Sequence, residues 1–529
     1  MTLIKSISGI RGTIGGKVGE NLTPVDAVKF ASAYGTFLKN SQPSTRNTKL
    51  KVVIGRDARI SGPMIHNLVV NTLLGLGIDV IDLGLSTTPT VEIAVPMEKA
   101  DGGIILTASH NPKQWNALKL LNSKGEFLSG AAGELILEIA ESEGFDFSDV
   151  DSLGEITVND AYMDIHIDEV LNLPLVDAEA VAKRKFKVVV DGVNSSGGII
   201  IPKLLEQMGV ECVKLYCEPN GHFPHNPEPL KEHLGDICKL VVEEKADFGI
   251  VVDPDVDRLA FISNDGEMFG EEYTLVACAD YVLSKTPGNT VSNMSSSRAL
   301  RDITNKYNGS YQASAVGEVN VVELMKKTNA IIGGEGNGGI IYPESHYGRD
   351  SLVGVALFLT HLANLDMTVS ELRASYPQYY MSKNKIEHFT EYFDDYDNGG
   401  QAAISHHNTD IALSPNANAA HQFIYKASNN INFNWTSKYV SKQYLDNTQN
   451  DKRTLKPYFI NDLSIAYSLT KKINRTALLQ FYILNFMDVK YEPNGYTYSY
   501  VYRGTTTTSN NYFPMAGRNF LLSLKLDFK

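Results

Sequence analysis

Cysteine is scarce in this sequence of 529 residues, and its few thiols are not arranged as metal ligands. The cysteines lie in one middle stretch without the paired spacing of a zinc site. They are Cys212, Cys217, Cys238 and Cys278. This usage predicts free thiols in a reducing compartment and excludes a disulfide framework.

Long apolar runs and basic clusters are also missing. No window holds about 18 consecutive apolar residues, so no transmembrane helix is predicted. Residues 1–5 lack the basic start and apolar stretch of a secretory signal, and we therefore expect a cytoplasmic protein. The net charge is −13 without any long basic run, so we expect no nucleic-acid partner.

Up to about residue 385 the sequence alternates short β-branched runs with amphipathic patterns. Residues 51–55 predict a buried strand and residues 63–76 a helix. The same order returns at residues 186–191 and near 248–252, and a third unit begins around Thr290. Continuous Val and Ile runs favour parallel or mixed sheets covered by helices.

The tail of the chain has a different composition. More than half of the 26 tyrosines follow residue 387, and apolar residues alternate with polar ones in three stretches. These are Leu463, Ile465, Tyr467 and Leu469; Ala477, Leu479, Phe481 and Ile483; and Phe520, Leu522, Leu524, Leu526 and Phe528. Such alternation is typical of outer-membrane barrel strands and equally of any half-buried antiparallel sheet.

Turn-rich segments near residues 152 and 286 predict domain boundaries. We therefore expect an α/β protein with three successive mixed α/β domains, at residues 1–152, 153–286 and 287–386. A β-rich tail of antiparallel strands is expected to follow over residues 387–529.

Ser109 lies in a Thr-Ala-Ser-His-Asn-Pro segment directly after an apolar run that predicts a strand. Pro112 restricts Asn111 to extended or turn geometry, so we expect the serine on an exposed loop. His110, Asn111 and the later Lys119 offer donors and cations suited to a transferred phosphoryl group. The structural alternative is a polar loop that caps the next segment.

Three carboxylates at alternate positions follow another predicted strand: Asp253, Asp255 and Asp257. Packed together they would repel one another without a cation, and hard oxygens suit Mg²⁺, so the pattern predicts a site for one Mg²⁺. Arg258 and Asn264 occupy positions where a helix-loop-helix calcium site needs Gly and Glu. Arg258 is suited to pairing with these carboxylates or to binding phosphate oxygens. A solvated acidic turn is the alternative.

Residues 333–339 form a glycine-dense segment in which Glu335 and Asn337 stand between glycines. The segment matches neither a nucleotide phosphate loop nor a dinucleotide-binding fingerprint. Glycines here would let the backbone pass close to a ligand while Glu335 points into the site. A purely structural turn is the alternative.

Together and in this order, the three segments resemble the α-D-phosphohexomutase family over about residues 1–385. Shorter segments at residues 8–12, 55–59, 226–229 and 348–350 follow the family order. The resemblance implies that Ser109 is a phosphoserine and that Asp253, Asp255 and Asp257 hold Mg²⁺ together with it. It implies catalytic or positioning roles for His110, Lys119, Arg11 and Arg258, and contacts to the substrate from Glu335, Asn337 and Asn111.

The function implied by the resemblance is that of a phosphohexose mutase, an isomerase that moves a phosphoryl group between C1 and C6 of a hexose or hexosamine phosphate. A sugar bisphosphate would prime the enzyme and form the intermediate. Asn337 and Gly339 stand where many relatives carry Ser and His, so the usual substrate assignments of the family do not transfer directly. Glucosamine phosphate is the favoured substrate, and phosphomannomutase and phosphoglucomutase activities are the alternatives. A metal-dependent phosphatase that uses water as acceptor is a further alternative.

The tail departs from the family pattern. We find no Arg-x-Ser-x-Thr-Glu-Pro segment, by which the family's fourth domain binds the distal phosphate, so we expect that domain to be absent and the activity weakened. Residues 437–448 and 511–520 resemble the C-terminal barrel strands of TonB-dependent outer-membrane receptors. This predicts a chimeric chain with its seam at residues 385–391, and membrane association only if the tail dictates it. A fragment of such a receptor is the alternative function from another class.

Overall fold

The computed structural model describes residues 2–6, 9–41, 48–379, 393–395, 404–406, 412–428, 430–446, 450–468, 476–502 and 505–527. The chain divides into two compact units, Met1–Ser382 and Lys383–Lys529. The predicted seam at residues 385–391 lies outside the described residues.

The first unit begins with a seven-stranded sheet in the order β1-β2-β6-β5-β3-β4-β7. Its strands are β1 Ile4–Ser6, β2 Gly9–Thr13, β3 Lys51–Arg56, β4 Asp79–Leu85, β5 Gly102–Leu106, β6 Trp115–Leu121 and β7 Ile156–Val158. The helices between them are α1 Pro24–Asn40, α2 Gly62–Gly75, α3 Thr88–Met97 and α4 Gly130–Ser142. β3 pairs in parallel with β4 and β5, whereas β6 runs antiparallel to β2 and β5.

This sheet is buried on both faces, which explains the continuous apolar runs of its strands. Val52 and Ile54 of β3 belong to the core on one face, and Val53 belongs to a separate core on the other face. The predicted strand at residues 51–55 and helix at residues 63–76 are confirmed within one residue at each end.

Two four-stranded sheets follow, in the orders β11-β10-β8-β9 and β13-β12-β14-β15. Their strands are β8 Lys187–Asp191, β9 Glu211–Leu215, β10 Phe248–Val252, β11 Leu259–Ser263, β12 Asn289–Asn293, β13 Tyr311–Ser314, β14 Ala330–Glu335 and β15 Gly339–Ile341. The helices are α5 Tyr162–Leu171, α6 Ala178–Arg184, α7 Gly197–Gln207, α8 Gly235–Glu243, α9 Glu271–Lys285, α10 Ala299–Lys306, α11 Glu318–Thr328, α12 Ser351–Ala363 and α13 Val369–Ser375. Each sheet has a parallel core with one antiparallel strand, as the mixed α/β expectation requires.

The second unit is built from antiparallel strands. They are β16 Phe393–Asp395, β17 Ile404–His406, β18 Asn418–Ser428, β19 Ile431–Val440, β20 Gln443–Tyr444, β21 Thr454–Leu455, β22 Tyr458–Ser468, β23 Thr476–Leu484, β24 Asn494–Tyr502, β25 Thr505–Phe513 and β26 Asn519–Asp527. Five of them form one sheet in the order β18-β19-β22-β23-β26. The predicted β-rich antiparallel tail is therefore confirmed, while its resemblance to outer-membrane receptors stays an interpretation.

One face of this five-stranded sheet carries a row of exposed apolar side chains. The pairing places Tyr425 opposite Phe433, then Ile465, Phe481 and Leu522 in successive strands. These five side chains are between 38% and 66% exposed. The alternation read in the sequence thus corresponds to a sheet with one apolar face.

Among the described residues, no helix combines the length and the apolar character that crossing a membrane requires.

Candidate active site

The Ser109 turn follows β5, and Ser109 itself lies in the left-handed region with φ of 48°. Its amide donates to Thr107 Oγ1 at 2.9 Å, and the Thr107 hydroxyl donates to Asp57 Oδ2 at 2.7 Å. The buried Arg59 guanidinium donates to the carbonyl oxygens of Ser109 and Asn111. The turn is therefore held from beneath by an Asp57–Arg59 ion pair at 3.0 Å.

The expectation that Ser109 lies on an exposed loop is wrong. The residue is only 7% exposed, because the turn is drawn down onto Arg59 and faces the loop that follows β10. The Ser109 hydroxyl donates to Asp253 Oδ2 at 2.6 Å. His110 Nδ1 lies 3.3 Å from Ser109 Oγ. The serine and the first aspartate of the acidic motif are thus in direct contact.

The three aspartates of that motif are fully buried, and one carboxylate oxygen of each lies within 4.8 Å of the others. Asp253 Oδ1 accepts the backbone amides of Asp257 and Arg258. Asp255 Oδ1 and Asp257 Oδ1 are buried and have no hydrogen-bond partner among the described residues. Orphaned buried carboxylate oxygens are costly unless a cation binds them, so this cluster fits a hard divalent ion and the solvated-turn alternative is wrong.

Lys119 occupies the side of the cluster opposite those free oxygens. Its ammonium group donates to Asp255 Oδ2 at 2.6 Å and to Asp257 Oδ2 at 3.1 Å. Burial alone would lower the pKa of Lys119, but the two carboxylates raise it above its usual range. Lys119 therefore stays charged and holds one oxygen of each carboxylate, which leaves the other oxygen of each available to a metal.

The pKa values of Asp253 and Asp257 are shifted in opposite directions. Burial, together with Asp257 and Asp255, raises the pKa of Asp253 well above its usual value. Burial would also raise the pKa of Asp257, but Arg349, Lys119 and Arg258 hold it below its usual range. The cations thus secure the charge of Asp257, whereas no ion pair to Asp253 forms within the described part of the chain.

His110 and Arg258 flank the serine. Burial and the nearby Arg258 cation lower the pKa of His110 to about 3, so the imidazole is neutral near pH 7. Arg258 Nη1 lies 3.4 Å from Glu228 Oε1, which ties it to the segment at residues 226–229. Arg11 Nε is buried, and none of the residues that the structure describes bonds to it.

A cavity of about 630 Å³ lies above the serine. Its lining includes all the residues outside the metal motif for which the resemblance implied a role. They are Arg11, Ser109, His110, Asn111, Lys119, Arg258, Glu335 and Asn337. The structure brings these side chains to one cavity from three separate sheets, while their individual roles stay predictions.

Glu335 ends β14 and is 5% exposed. Its Oε1 accepts from Asn293 Nδ2 at 2.8 Å and from the Gly317 amide at 3.2 Å. Its Oε2 accepts from Arg349 Nη1 at 3.0 Å. The Glu335 carboxylate is therefore oriented by fixed donors at the wall of the cavity.

In the glycine-dense segment at residues 333–339, Gly338 is required by the backbone geometry. Gly338 has φ of 87°, and a Cβ there would lie 2.1 Å from the carbonyl oxygen of Leu259. The close approach that this glycine permits is thus to the strand after the metal motif. At Gly338, therefore, glycine serves the structure of the turn, as the structural alternative predicted.

Sequence reasoning named Arg349 only as part of a family segment and assigned it no role. In the structure its guanidinium donates to Asp257 Oδ2, Glu318 Oε2 and Glu335 Oε2. Glu318, at the start of α11, was not identified at all, although it lines the cavity. The one available signal was the charged Gly-Arg-Asp triplet before an apolar helix, and that triplet does not reveal its partners.

Comparisons with known proteins agree with this architecture. The family model "Phosphoglucomutase/phosphomannomutase, alpha/beta/alpha domain I" matches residues 4–147. The models for domain II and domain III of the same description match residues 164–266 and 270–380. Together they cover most of the chain in the order that the three sheets follow.

Two relatives and one solved structure extend the agreement. A phosphoglucomutase/phosphomannomutase of Thermococcus kodakarensis is 36% identical over 378 residues, which is 71% of this chain and 81% of that protein. A probable phosphoglucosamine mutase of Methanopyrus kandleri is 31% identical over 382 residues, 72% of this chain and 80% of that protein. A crystal structure of a phosphoglucomutase/phosphomannomutase family protein from Burkholderia thailandensis covers 72% of this chain and 81% of its own, at 25% identity and a TM-score of 0.62.

The three α/β domains and their shared cavity define an enzyme of the phosphosugar mutase class, a group of isomerases. The chain belongs to the phosphoglucomutase/phosphomannomutase family, the α-D-phosphohexomutases. The resemblance expected from the sequence is thereby confirmed for the first unit. The domain boundaries and the absence of a fourth family domain stay predictions.

Proposed function

We propose that the chain moves a phosphoryl group between C1 and C6 of a hexosamine or hexose phosphate, with Ser109 as the phosphoryl carrier. The observation that carries this proposal is the contact at 2.6 Å between the hydroxyl of Ser109, which lines the cavity, and Oδ2 of Asp253, which belongs to the buried aspartate cluster. If Ser109 were phosphorylated, the metal and the surrounding cations would neutralise the charge on its phosphoryl oxygens.

Asp253, Asp255 and Asp257 would hold one Mg²⁺, with the two orphaned oxygens Asp255 Oδ1 and Asp257 Oδ1 turned to it. The bound ion would neutralise charge on the phosphoryl group during transfer. Lys119 keeps the opposite oxygens paired, so the carboxylates keep their orientation. The charged groups of the site are therefore already oriented before the substrate binds.

The remaining side chains would bind and orient the sugar. Glu335, fixed by Arg349 and Asn293, would accept hydrogen bonds from sugar hydroxyls, and Asn337 would add an amide beside it. Arg11 and Arg258 would bind phosphoryl oxygens, because both line the cavity and each has a buried Nε without a partner. Neutral His110 would be able to accept or donate a proton near Ser109 Oγ.

Transfer proceeds in two halves. The phosphoserine passes its phosphoryl group to the free hydroxyl of the sugar monophosphate, which gives a sugar bisphosphate and the free Ser109 hydroxyl. After the bisphosphate turns over in the cavity, its other phosphoryl group returns to Ser109. A catalytic amount of sugar bisphosphate would therefore prime the unphosphorylated enzyme.

Glucosamine phosphate is the substrate we favour. The M. kandleri relative bears the name phosphoglucosamine mutase, and a relative from Sulfurisphaera tokodaii, 31% identical over 385 residues, is a phosphoglucosamine/phosphogalactosamine mutase. Mannose and glucose phosphates are the alternatives, because the T. kodakarensis relative is named for both of these activities. Comparing kcat/KM across glucosamine, mannose and glucose phosphates would decide among them.

The Ser109→Ala variant tests the proposal. With Mg²⁺, glucosamine 6-phosphate and a trace of glucosamine 1,6-bisphosphate, we expect the variant to lose at least about a thousandfold in turnover, because it has no atom to carry the phosphoryl group. Isomer formation is followed by ³¹P NMR, and chelation with EDTA should stop the wild-type reaction until Mg²⁺ is returned.

Ser142→Ala, on the surface of α4, is the matched control and should keep wild-type turnover. The role of Ser109 would be refuted if its alanine variant kept more than about a tenth of wild-type turnover. Release of inorganic phosphate without any need for bisphosphate would favour the phosphatase alternative.

A further inference from the structure

Arg349 is a buried arginine that joins three segments of the active site. Its Nη2 donates to Asp257 Oδ2 at 2.7 Å, its Nη1 to Glu335 Oε2 at 3.0 Å and its Nε to Glu318 Oε2 at 2.9 Å. The residue is 7% exposed. One rigid guanidinium therefore contacts the metal motif, the predicted sugar-binding segment and the start of α11.

The backbone that carries Arg349 is fixed on both sides. The Arg349 amide donates to Glu318 Oε1 at 3.1 Å, and the Asp350 amide donates to the carbonyl of Ile340 at 2.8 Å. The Asp350 carboxylate accepts from the amides of Leu352 and Val353 and thereby caps α12. Arg349 is thus anchored at its backbone as well as at its side chain.

Contacts to the other sheets hold the same segment. Asp350 Oδ2 lies 2.9 Å from His166 Nε2, and the Ser351 amide donates to the carbonyl of Val256 in the metal motif at 3.2 Å. On the side of the first sheet, a Cβ on Gly348 would lie 1.8 Å from Glu92 Oε2. Residues from all three α/β regions therefore meet the segment at residues 348–351.

We propose that Arg349 is a positioning residue that couples metal binding at Asp257 to sugar-phosphate binding at Glu335. The proposal rests on the function proposed above, since it takes the Asp257 carboxylate as a metal ligand and the Glu335 carboxylate as a sugar contact. It adds a link between the two events.

The link follows from the geometry of the guanidinium. Its donors form a rigid planar fork, so Asp257 and Glu335 cannot move independently while both stay bonded to it. A cation that orders Asp257 Oδ1 fixes Oδ2 and hence Arg349, which fixes Glu335 for the sugar. Lysine cannot reproduce this, because one ammonium group does not present three coplanar donors.

Binding measurements without turnover test the link. The dissociation constant of Mg²⁺ is measured by calorimetry with and without saturating 1,5-anhydroglucitol 6-phosphate, a sugar phosphate that lacks the C1 hydroxyl and cannot react. The ratio of the two constants is the coupling factor, and it is compared among wild type, Arg349→Met, Arg349→Lys and His346→Gln. Direct attraction between the phosphate and Mg²⁺ contributes to the coupling factor of the wild type and of every variant. Only a difference in the coupling factor between wild type and variant therefore tests the role of Arg349.

We expect the coupling factor of Arg349→Met and of Arg349→Lys to be at least about fivefold smaller than that of wild type. His346→Gln is the matched control, because His346 lies just before the segment at residues 348–351 and bonds to Asp350 at 3.2 Å instead of to Asp257 or Glu335. Its factor should stay within about twofold of wild type.

Three outcomes would overturn the proposal. An Arg349→Met variant with wild-type circular dichroism and an unchanged coupling factor would do so, and if that variant does not fold, an unchanged factor in Arg349→Lys would do the same. A wild-type protein that binds both Mg²⁺ and the analogue without coupling would also refute it, and would leave the proposed function standing. A wild type that binds neither ligand would refute both.

Discussion

At the residue scale, two residues of the site have backbone conformations that residues other than glycine rarely adopt. Ser109 has φ of 48° and Val256, between two of the aspartates, has φ of 64°. Left-handed backbone costs of the order of 1–3 kcal/mol at residues other than glycine, most of all at β-branched ones. The surrounding hydrogen bonds hold both residues there, and the result is that the Ser109 hydroxyl meets Asp253.

Gly348 provides a prediction at this scale. A Cβ at this position would lie 1.8 Å from Glu92 Oε2 and 2.8 Å from His346 Cε1, and Glu92 is only 1% exposed. We expect Gly348→Ala to lower the free energy of unfolding by about 1–3 kcal/mol, as overpacking of a buried site does. Urea denaturation followed by circular dichroism measures the change.

A double-mutant cycle separates this clash from other effects of the alanine. In a Glu92→Ala background the nearest opposing atom is gone and only the His346 Cε1 contact at 2.8 Å remains, so the cost of Gly348→Ala should fall by about 1 kcal/mol or more. An equal cost in both backgrounds would show that Glu92 is not the obstacle.

At the element scale, the start of α1 shows how local residues begin a helix. Thr23 caps α1 with a capping box, since its hydroxyl accepts from the Asp26 amide while Asp26 accepts from the Thr23 amide. Pro24 stands at the first helical position, where its missing amide hydrogen costs nothing. Signals of this kind are local, and local signals survive into the folded structure.

The hydroxyl of Thr23 should therefore carry measurable stability. Thr23→Val keeps the shape but removes the cap, and we expect it to lower the free energy of unfolding by about 1–2 kcal/mol. Thr36→Val, within the same helix, is the matched control, because the buried Thr36 hydroxyl has no hydrogen-bond partner. That control should be neutral or stabilising in the same denaturation experiment, and equal losses in both variants would contradict the capping role.

At the scale of the whole molecule, burial of titratable groups makes stability depend on pH. His361 in α12 is 7% exposed, with Tyr376 Oη at 3.4 Å and Asp280 Oδ2 at 3.9 Å from its Nε2. Burial lowers the pKa of His361 to about 4, although Asp280 opposes this. The unfolded chain, with a histidine pKa near 6.5, therefore binds a proton before the folded one does.

Because the folded pKa is depressed, the neutral imidazole stabilises the fold above about pH 6.5, and this stabilisation is lost as the pH falls towards 4. We expect the free energy of unfolding to drop by roughly 2–3 kcal/mol more in wild type than in His361→Gln between these values. Urea titrations at several pH values measure the difference. His222→Gln, at an exposed position, should follow wild type, and identical pH profiles for wild type and His361→Gln would refute the assignment.

The second unit, unlike the first, has a sheet with an exposed apolar face. Its main sheet leaves apolar side chains such as Phe520 and Leu522 more than half exposed. Exposed apolar surface on open sheets promotes association between chains. The proposed metal ligands and cavity residues all belong to the first unit, so the proposed chemistry is contained there.

How much was predictable from sequence differs between fold and site. The alternation of buried strands and amphipathic helices, the β-rich tail and the acidic motif all follow from neighbouring residues, and the structure confirms them. The burial of Ser109 was mispredicted, because a polar segment before proline reads as exposed. Arg59, 50 residues away, draws that segment inward, and no local pattern reports such a partner.

The sequence by itself determined the secondary structure, the family and the identity of the chemical groups, because these depend on local periodicity and on short motifs. Only the tertiary structure decided which groups meet. Ser109 and Asp253 are 144 positions apart, and Arg349 lies 92 positions from Asp257. Such pairs form because packed sheets bring their loops to one cavity, where a buried charge is costly unless a partner or an ion meets it.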